Sequence, residues 1–192
     1  MVFQYRLAPE HPYPAALEDA KKAWEYLMHM GWGAKSVILA GDSAGGNLAL
    51  ELALALKSEQ RFLPGTLVLF SPWTDMTASG PSHTQREAQD PMLTTRYIHA
   101  VREAYAPGAD YRQPQLSPLF AQLNGLPPTL IQVGEREILY SDSEELHKAL
   151  IAAQVPAVFQ CWPDMWHVFQ MFPVKSAGDA LTAVGDFLGQ LA

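Results

Sequence analysis

Residues 36–52 read Ser36-Val37-Ile38-Leu39-Ala40-Gly41-Asp42-Ser43-Ala44-Gly45-Gly46-Asn47-Leu48-Ala49-Leu50-Glu51-Leu52, and three patterns succeed one another within them. Ser36 to Ala40 is a short apolar run of strand type. Gly41 to Gly46 is a turn. From Leu48, continuing through Leu52, Ala55 and Leu56, apolar residues recur at helical spacing. Ser43 stands at the centre of G-x-S-x-G, between a strand and a helix, where that motif has physical meaning. The serine occupies a strained strand-to-helix turn, and glycines flank it because side chains there would meet neighbouring backbone. Such a turn exposes the Ser43 hydroxyl and aims the Ala44 N–H, at the start of the helix, toward a developing oxyanion. The competing reading is a glycine-rich helix entry with a serine cap; the strand before and the helix after favour the exposed turn.

The same alternation continues on both sides. Upstream, prolines in Leu7-Ala8-Pro9-Glu10-His11-Pro12-Tyr13-Pro14 forbid regular structure, and Leu17, Ala20, Trp24, Leu27 and Met28 then mark a helix ending at Gly31. A strand-like run, Val2 to Tyr5, precedes them. Downstream, Thr66 to Phe70, Thr129 to Val133 and Val155 to Trp162 read as strands. Leu146, Ala149, Leu150 and Ala153 mark one helix, and Ala177 to Leu191 the last. Strands alternating with amphipathic helices predict βαβ units, that is, an α/β fold with a mostly parallel sheet of four to five strands and helices on both faces. Residues 1–192 are expected to form a single domain. Residues 74–126, polar and Pro-rich with one helix over Thr94 to Tyr105, are too long for an ordinary connection and are expected to cover the active-site end of the sheet.

Composition narrows the classes of function. With 48% hydrophobic and 17% charged residues the chain builds a core, and a net charge of −7 with no Lys/Arg run argues against nucleic-acid binding. A small molecule is the expected partner. The one cysteine, Cys161, allows no intrachain disulfide, and no Cys/His spacing suggests a metal site; no metal and no cofactor are expected. No apolar run reaches membrane-spanning length and the start has no signal-peptide pattern, so no membrane partner is expected and the location is read as cytoplasmic.

A serine hydroxyl needs a base and an acid. Of six histidines, His29, His99 and His147 lie in or beside helices, His11 in the Pro-rich opening and His83 in the irregular cover. His167, in Asp164-Met165-Trp166-His167-Val168-Phe169, directly follows the last strand, where the base of α/β-hydrolases stands in the order nucleophile, acid, histidine. The acid belongs at the end of the preceding strand, in Gly134-Glu135-Arg136-Glu137-Ile138-Leu139-Tyr140-Ser141-Asp142. Glu135 reads as solvated. Asp142 falls in a first helical turn, where carboxylates cap N–H groups. Glu137 is preferred for orienting His167, with Asp142 the alternative.

Several segments together resemble the hormone-sensitive-lipase-like family of bacterial carboxylesterases: Tyr5 to Asp19, Gly41 to Asn47, Ser71-Pro72-Trp73-Thr74-Asp75, Gly125-Leu126-Pro127-Pro128 and Met165 to Phe169. The resemblance implies an α/β-hydrolase fold and hydrolysis of short-chain acyl esters through an acyl-enzyme, with Ser43 as nucleophile, His167 as base and Glu137 as acid. Glu137 stands where the family's G-x-x-D-x-L frame has aspartate. Arg6, Glu10 and Asp19 are expected to form a buried polar network, and Asp42 to bond nearby backbone. Trp73, Trp166 and Phe169, with Met76 and Met92, are candidates for the substrate pocket against the plainer reading that they are core.

One departure is large. Members of that family carry, upstream of the Tyr5-Arg6-Leu7-Ala8-Pro9-Glu10 block, a helical cap, further strands and a His-Gly-Gly-Gly loop that supplies oxyanion donors, whereas this sequence has no His-Gly-Gly. The expectation is an N-terminally truncated α/β-hydrolase fold with the Ala44 amide as the remaining oxyanion donor and reduced activity, loss of one donor costing about 10²- to 10³-fold. A weakly active or non-catalytic ligand-binding protein on the same scaffold is the alternative. The nucleophile strand would then be an edge, predicting either that Val2 to Tyr5 slides beside it or that a second chain pairs with it in a homo-oligomer.

Overall fold

A computed structural model describes residues 1–191. Ten elements follow in order: α1 (Ala15–His29), β1 (Ile38–Asp42), α2 (Ala44–Ser58), β2 (Thr66–Phe70), α3 (Ser82–Gln85), α4 (Thr95–Tyr105), β3 (Thr129–Gly134), α5 (Tyr140–Ala152), β4 (Ala157–Trp162) and α6 (Lys175–Gly189). The four strands form one parallel sheet in the order β1-β2-β3-β4, in register Ile38 with Thr66, Leu67 with Thr129 and Thr129 with Ala157. Because all strands point the same way and lie in sequence order, the segments that follow β1, β2, β3 and β4 emerge side by side at one end of the sheet.

The period-2 alternation of a strand distributes side chains between two faces. Leu67, Leu69 and Ile131 pack against Ala49, Leu50 and Ala53 of α2 and Leu146 and Leu150 of α5. Val68 and Leu130 face the other way, against Val184, Phe187 and Leu188 of α6. Both faces of the central strands are therefore covered, which is why β2 and β3 read as continuous apolar runs rather than alternating ones. Helix α1 packs mainly on α2 through Ala16, Ala20 and Trp24 against Leu48, Leu52 and Leu56.

Residues 74–126 are more structured than one helix. They hold α3, α4 and a 3₁₀ turn at Pro118–Phe120, and with Trp73, Ile138 and Leu139 they build a cluster of their own around Met76, Leu93, Ile98 and Leu116. Thr94 caps α4 by accepting from the Tyr97 N–H at 3.1 Å.

Three expectations are corrected. Val2 to Tyr5 forms no strand and makes no ladder with β1, although Met1 and Phe3 face Ile38 to Ala40 across a cavity; Val2 is fully exposed. The Arg6–Asp19 network is half-exposed rather than buried, with Nε to Oδ2 at 2.8 Å, and its other carboxylate is Glu18, not Glu10. Asp42 is exposed and makes no side-chain hydrogen bond among the described residues. Among these residues β1 pairs only with β2, so its outer edge lies open with Ile38 46% exposed.

Candidate active site

The turn after β1 forces Ser43 to φ 52°, ψ −119°, a left-handed conformation that costs a non-glycine residue on the order of 1–3 kcal/mol. Its neighbours hold it there. The Ser43 N–H donates to Phe70 O at 2.9 Å, and the Ser43 carbonyl accepts from Trp73 N at 3.1 Å. The hydroxyl caps nothing, so the serine-cap reading fails. The steric need for glycine falls on Gly41, where a Cβ would lie 2.2 Å from the Gly45 carbonyl oxygen; at Gly45 a Cβ would meet nothing within 4 Å. The expected symmetry of the two flanking glycines is thus broken, since Gly41 sits beneath the helix start while Gly45 faces open space.

Glu137 and His167 are brought together. Glu137 leaves β3 and is fully buried; His167 leaves β4 and is 4% exposed; the His167 Nδ1 to Glu137 Oε2 distance is 2.8 Å. The other oxygen, Oε1, accepts from the Gly134 N–H at 2.6 Å and the Ser71 hydroxyl at 2.7 Å. Ser43 lies two strands away from the end of β3, at the end of β1, with the segment after β2 between them. Ser43 and His167 are not hydrogen-bonded to each other.

Asp142 is engaged elsewhere. It sits in the first turn of α5, yet its Oδ2 accepts from the Thr74 and Asp75 N–H groups at 3.0 and 2.9 Å, and its Oδ1 lies 2.9 Å from His83 Nε2. It therefore anchors the cover rather than capping its own helix. Burial raises its pKa, partly opposed by His83. His83, assigned no role by the sequence, is 1% exposed, its Nδ1 unpartnered. The cover is further tied to the 135–141 loop by Asp90 accepting from Ile138 N at 2.9 Å, by Ser82 and Ser141, and by Arg86 on the Glu135 carbonyl.

A cavity of about 330 Å³ opens beside Ala44, lined by Leu48, Trp73, Met76, Tyr97 and Tyr105 among others. Of the three aromatic residues expected at the pocket, Trp73 lines this cavity. Phe169 is fully buried against Ala177 and Ala180, with Trp166 packed at the same cluster, because the segment after His167 turns back onto α6. Met92 is 47% exposed and lines no part of the cavity. Asn47 ties the cavity wall together, its Nδ2 donating to Trp73 O at 2.7 Å and Leu116 O at 3.0 Å. Among the described residues no helix is long and apolar enough to cross a membrane, and no group of three His, Cys, Asp or Glu side chains is placed to hold a metal.

Parallel strands flanked by helices, with a serine at a strained strand-to-helix turn and a buried carboxylate–histidine pair at neighbouring strand ends, define an α/β hydrolase. Residues 1–171 match the alpha/beta hydrolase fold family, and the chain belongs to it. An acetyl-hydrolase of Streptomyces hygroscopicus is 42% identical over 190 residues, covering 98% of this chain and 64% of the relative. An esterase of Acinetobacter venetianus is 38% identical over 194 residues, covering 97% and 63%. The crystal structure of an esterase from the bacterial hormone-sensitive lipase family superposes with a TM-score of 0.95 at 38% identity, covering 98% of this chain and 64% of that one. These similarities agree with the family resemblance carried by the sequence motifs. The chain spans less than two thirds of the length of these relatives.

Proposed function

We propose that the chain carries a serine carboxylesterase site for short-chain acyl esters, with Ser43 as nucleophile, His167 as base and Glu137 as acid. In this reading the Ser43 Oγ attacks the ester carbonyl carbon while His167 Nε2 takes its proton. The Nδ1–H directed at Glu137 fixes the tautomer that leaves Nε2 free to accept. The carbonyl oxygen gains negative charge and is received by the Ala44 N–H, a first-turn helix donor with no intrahelical partner. The proton passes to the departing alcohol, leaving an acyl-enzyme. Water, deprotonated by the same imidazole, then releases the acid. The cavity beside Ala44 supplies apolar walls for a small acyl or alcohol group.

The observation that carries the reading is the conjunction of a left-handed, uncapped Ser43 with the 2.8 Å His167–Glu137 contact at the same end of the sheet. Relatives named esterase and acetyl-hydrolase support it. The test is covalent labelling by a fluorophosphonate together with hydrolysis of p-nitrophenyl butyrate. Labelling at Ser43, with both signals lost in Ser43→Ala, is the expected result. A folded wild-type chain that neither labels nor hydrolyses would favour a ligand-binding protein on the same scaffold.

A further inference from the structure

Phe70, the last residue of β2, and the residues after it bond to both Ser43 and Glu137. Phe70 O accepts the Ser43 N–H, and the Trp73 N–H donates to Ser43 O. Between them stands Ser71. It is fully buried, with φ 47°, its own N–H donating to Gln132 O at 2.7 Å across the sheet. Its hydroxyl makes two further bonds. It donates to Glu137 Oε1 at 2.7 Å and accepts from the Val168 N–H at 3.1 Å. A hydroxyl has a single proton, and Val168 N–H occupies a lone pair, so the donor role toward Glu137 is dictated. Val168 is itself left-handed, φ 49° and ψ 42°, an unfavourable conformation for a β-branched residue, and it is the residue next to His167.

The consequences concern both partners of the pair. With Gly134 N–H and Ser71 O–H on Oε1, the Glu137 carboxylate cannot rotate without losing a buried bond, and Oε2 is reserved for His167 Nδ1. The bond from Val168 N–H to the same hydroxyl fixes the backbone that bears the imidazole. One buried hydroxyl therefore sets the orientation of the acid and the position of the base at once. We propose that Ser71 is a positioning residue of this site, holding Glu137 and His167 in the geometry that proton transfer requires. The proposal rests on the esterase reading for its kinetic consequence, but its structural content, control of the His167–Glu137 pair, can be measured without turnover.

The positive φ at Ser71 supplies a discriminating substitution. Glycine adopts that conformation at no steric cost, so Ser71→Gly keeps the turn and removes the hydroxymethyl side chain. If Ser71 merely shapes the turn, this variant is at least as good as wild type. If the hydroxyl positions the pair, it fails. We expect Ser71→Gly to fold, judged by circular dichroism and a cooperative thermal transition, and to lower kcat for p-nitrophenyl butyrate by about tenfold or more with little change in KM. The downfield proton resonance of His167 Nδ1–H, assigned by its absence in His167→Gln, reports the bond to Glu137 and should shift in Ser71→Gly, because Glu137 without its Ser71 donor is a stronger acceptor. Ser71→Ala, which keeps the Cβ and lacks only the hydroxyl, should show the same change in the resonance and in kcat.

A folded Ser71→Gly protein with the wild-type His167 Nδ1–H resonance and wild-type kcat would overturn the proposal. If instead wild type shows no hydrolysis or Ser43 labelling, the esterase reading fails, while the Nδ1–H resonance still decides whether Ser71 controls the pair. Should Ser71→Gly not fold, the same two readouts in Ser71→Cys, a near-isosteric and weaker donor, decide it: an unchanged Nδ1–H resonance there also overturns the proposal.

Discussion

His167 and Glu137, thirty residues apart in sequence and borne on the segments that follow two neighbouring strands, meet at 2.8 Å with both side chains almost wholly removed from solvent. Glu137 carries one more methylene than the aspartate usual in the family frame, and its reach is used to contact Gly134 N–H, Ser71 and His167 simultaneously. Replacing Glu137 by Gln should leave the fold intact and lower kcat by about 10³- to 10⁴-fold, since an amide no longer stabilises the imidazolium or enforces its tautomer. Steady-state kinetics on the purified variant, with circular dichroism as the control, check this.

Asp142 should behave in the opposite way. Its carboxylate holds Thr74, Asp75 and His83 in the interior. Asp142→Asn is expected to destabilise by about 2–4 kcal/mol, because the amide leaves buried groups unpaired. Turnover per folded molecule should stay within a few-fold of wild type. Denaturant titration together with active-site labelling separates the two effects, and a folded Asp142→Asn protein with no turnover would move the acid role from Glu137 to Asp142.

The two glycines beside Ser43 should differ sharply. A Cβ at Gly41 would lie 2.2 Å from backbone oxygen, so Gly41→Ala is expected to displace the turn and abolish labelling of Ser43. A Cβ at Gly45 meets nothing within 4 Å and replaces glycine inside α2, so Gly45→Ala should be tolerated or stabilising by about 0.5–1 kcal/mol. Thermal melts and labelling of both variants test the contrast.

Glu51, on α2, is buried with both carboxyl oxygens unpaired; Tyr105 approaches without completing a hydrogen bond. Burial holds its pKa well above the ordinary glutamate range. The native state therefore binds this proton more tightly than the unfolded chain, and stability falls as pH rises from the ordinary glutamate value through the raised one. Glu51→Gln removes that slope. The variant should gain in Tm over wild type as pH goes from about 4 to about 8, with the smallest difference at the acidic end. Melting curves across that range read the sign directly.

The open edge of β1 should pair. Expressed as these 192 residues, the protein is expected to self-associate through Ile38–Asp42, whose outer backbone groups have no partner among the described residues. Size-exclusion chromatography over a concentration series should show a rising apparent mass, and Ala40→Pro, which removes a ladder donor, should reduce it.

The sequence by itself determined most of the elements and the turn that bears Ser43. Thr66 to Phe70 is a strand to the residue, β1 and α2 meet at Ser43, and His167 follows the last strand, because hydrophobic period and glycine placement are local signals that survive without tertiary context. The resemblance to the hormone-sensitive-lipase-like esterases was legible for the same reason, being carried by contiguous motifs. Tertiary structure alone decided the rest. That Glu137 rather than Asp142 faces His167, that His83 is a buried partner of Asp142, that the Ser71 hydroxyl joins Glu137 to the Val168 backbone, that Phe169 turns into the core and that Val2 to Tyr5 finds no ladder are all facts about residues far apart in the chain. A hydrogen bond or a strand pairing is a property of two groups in space, and a one-dimensional pattern specifies each group without specifying which neighbour it will find.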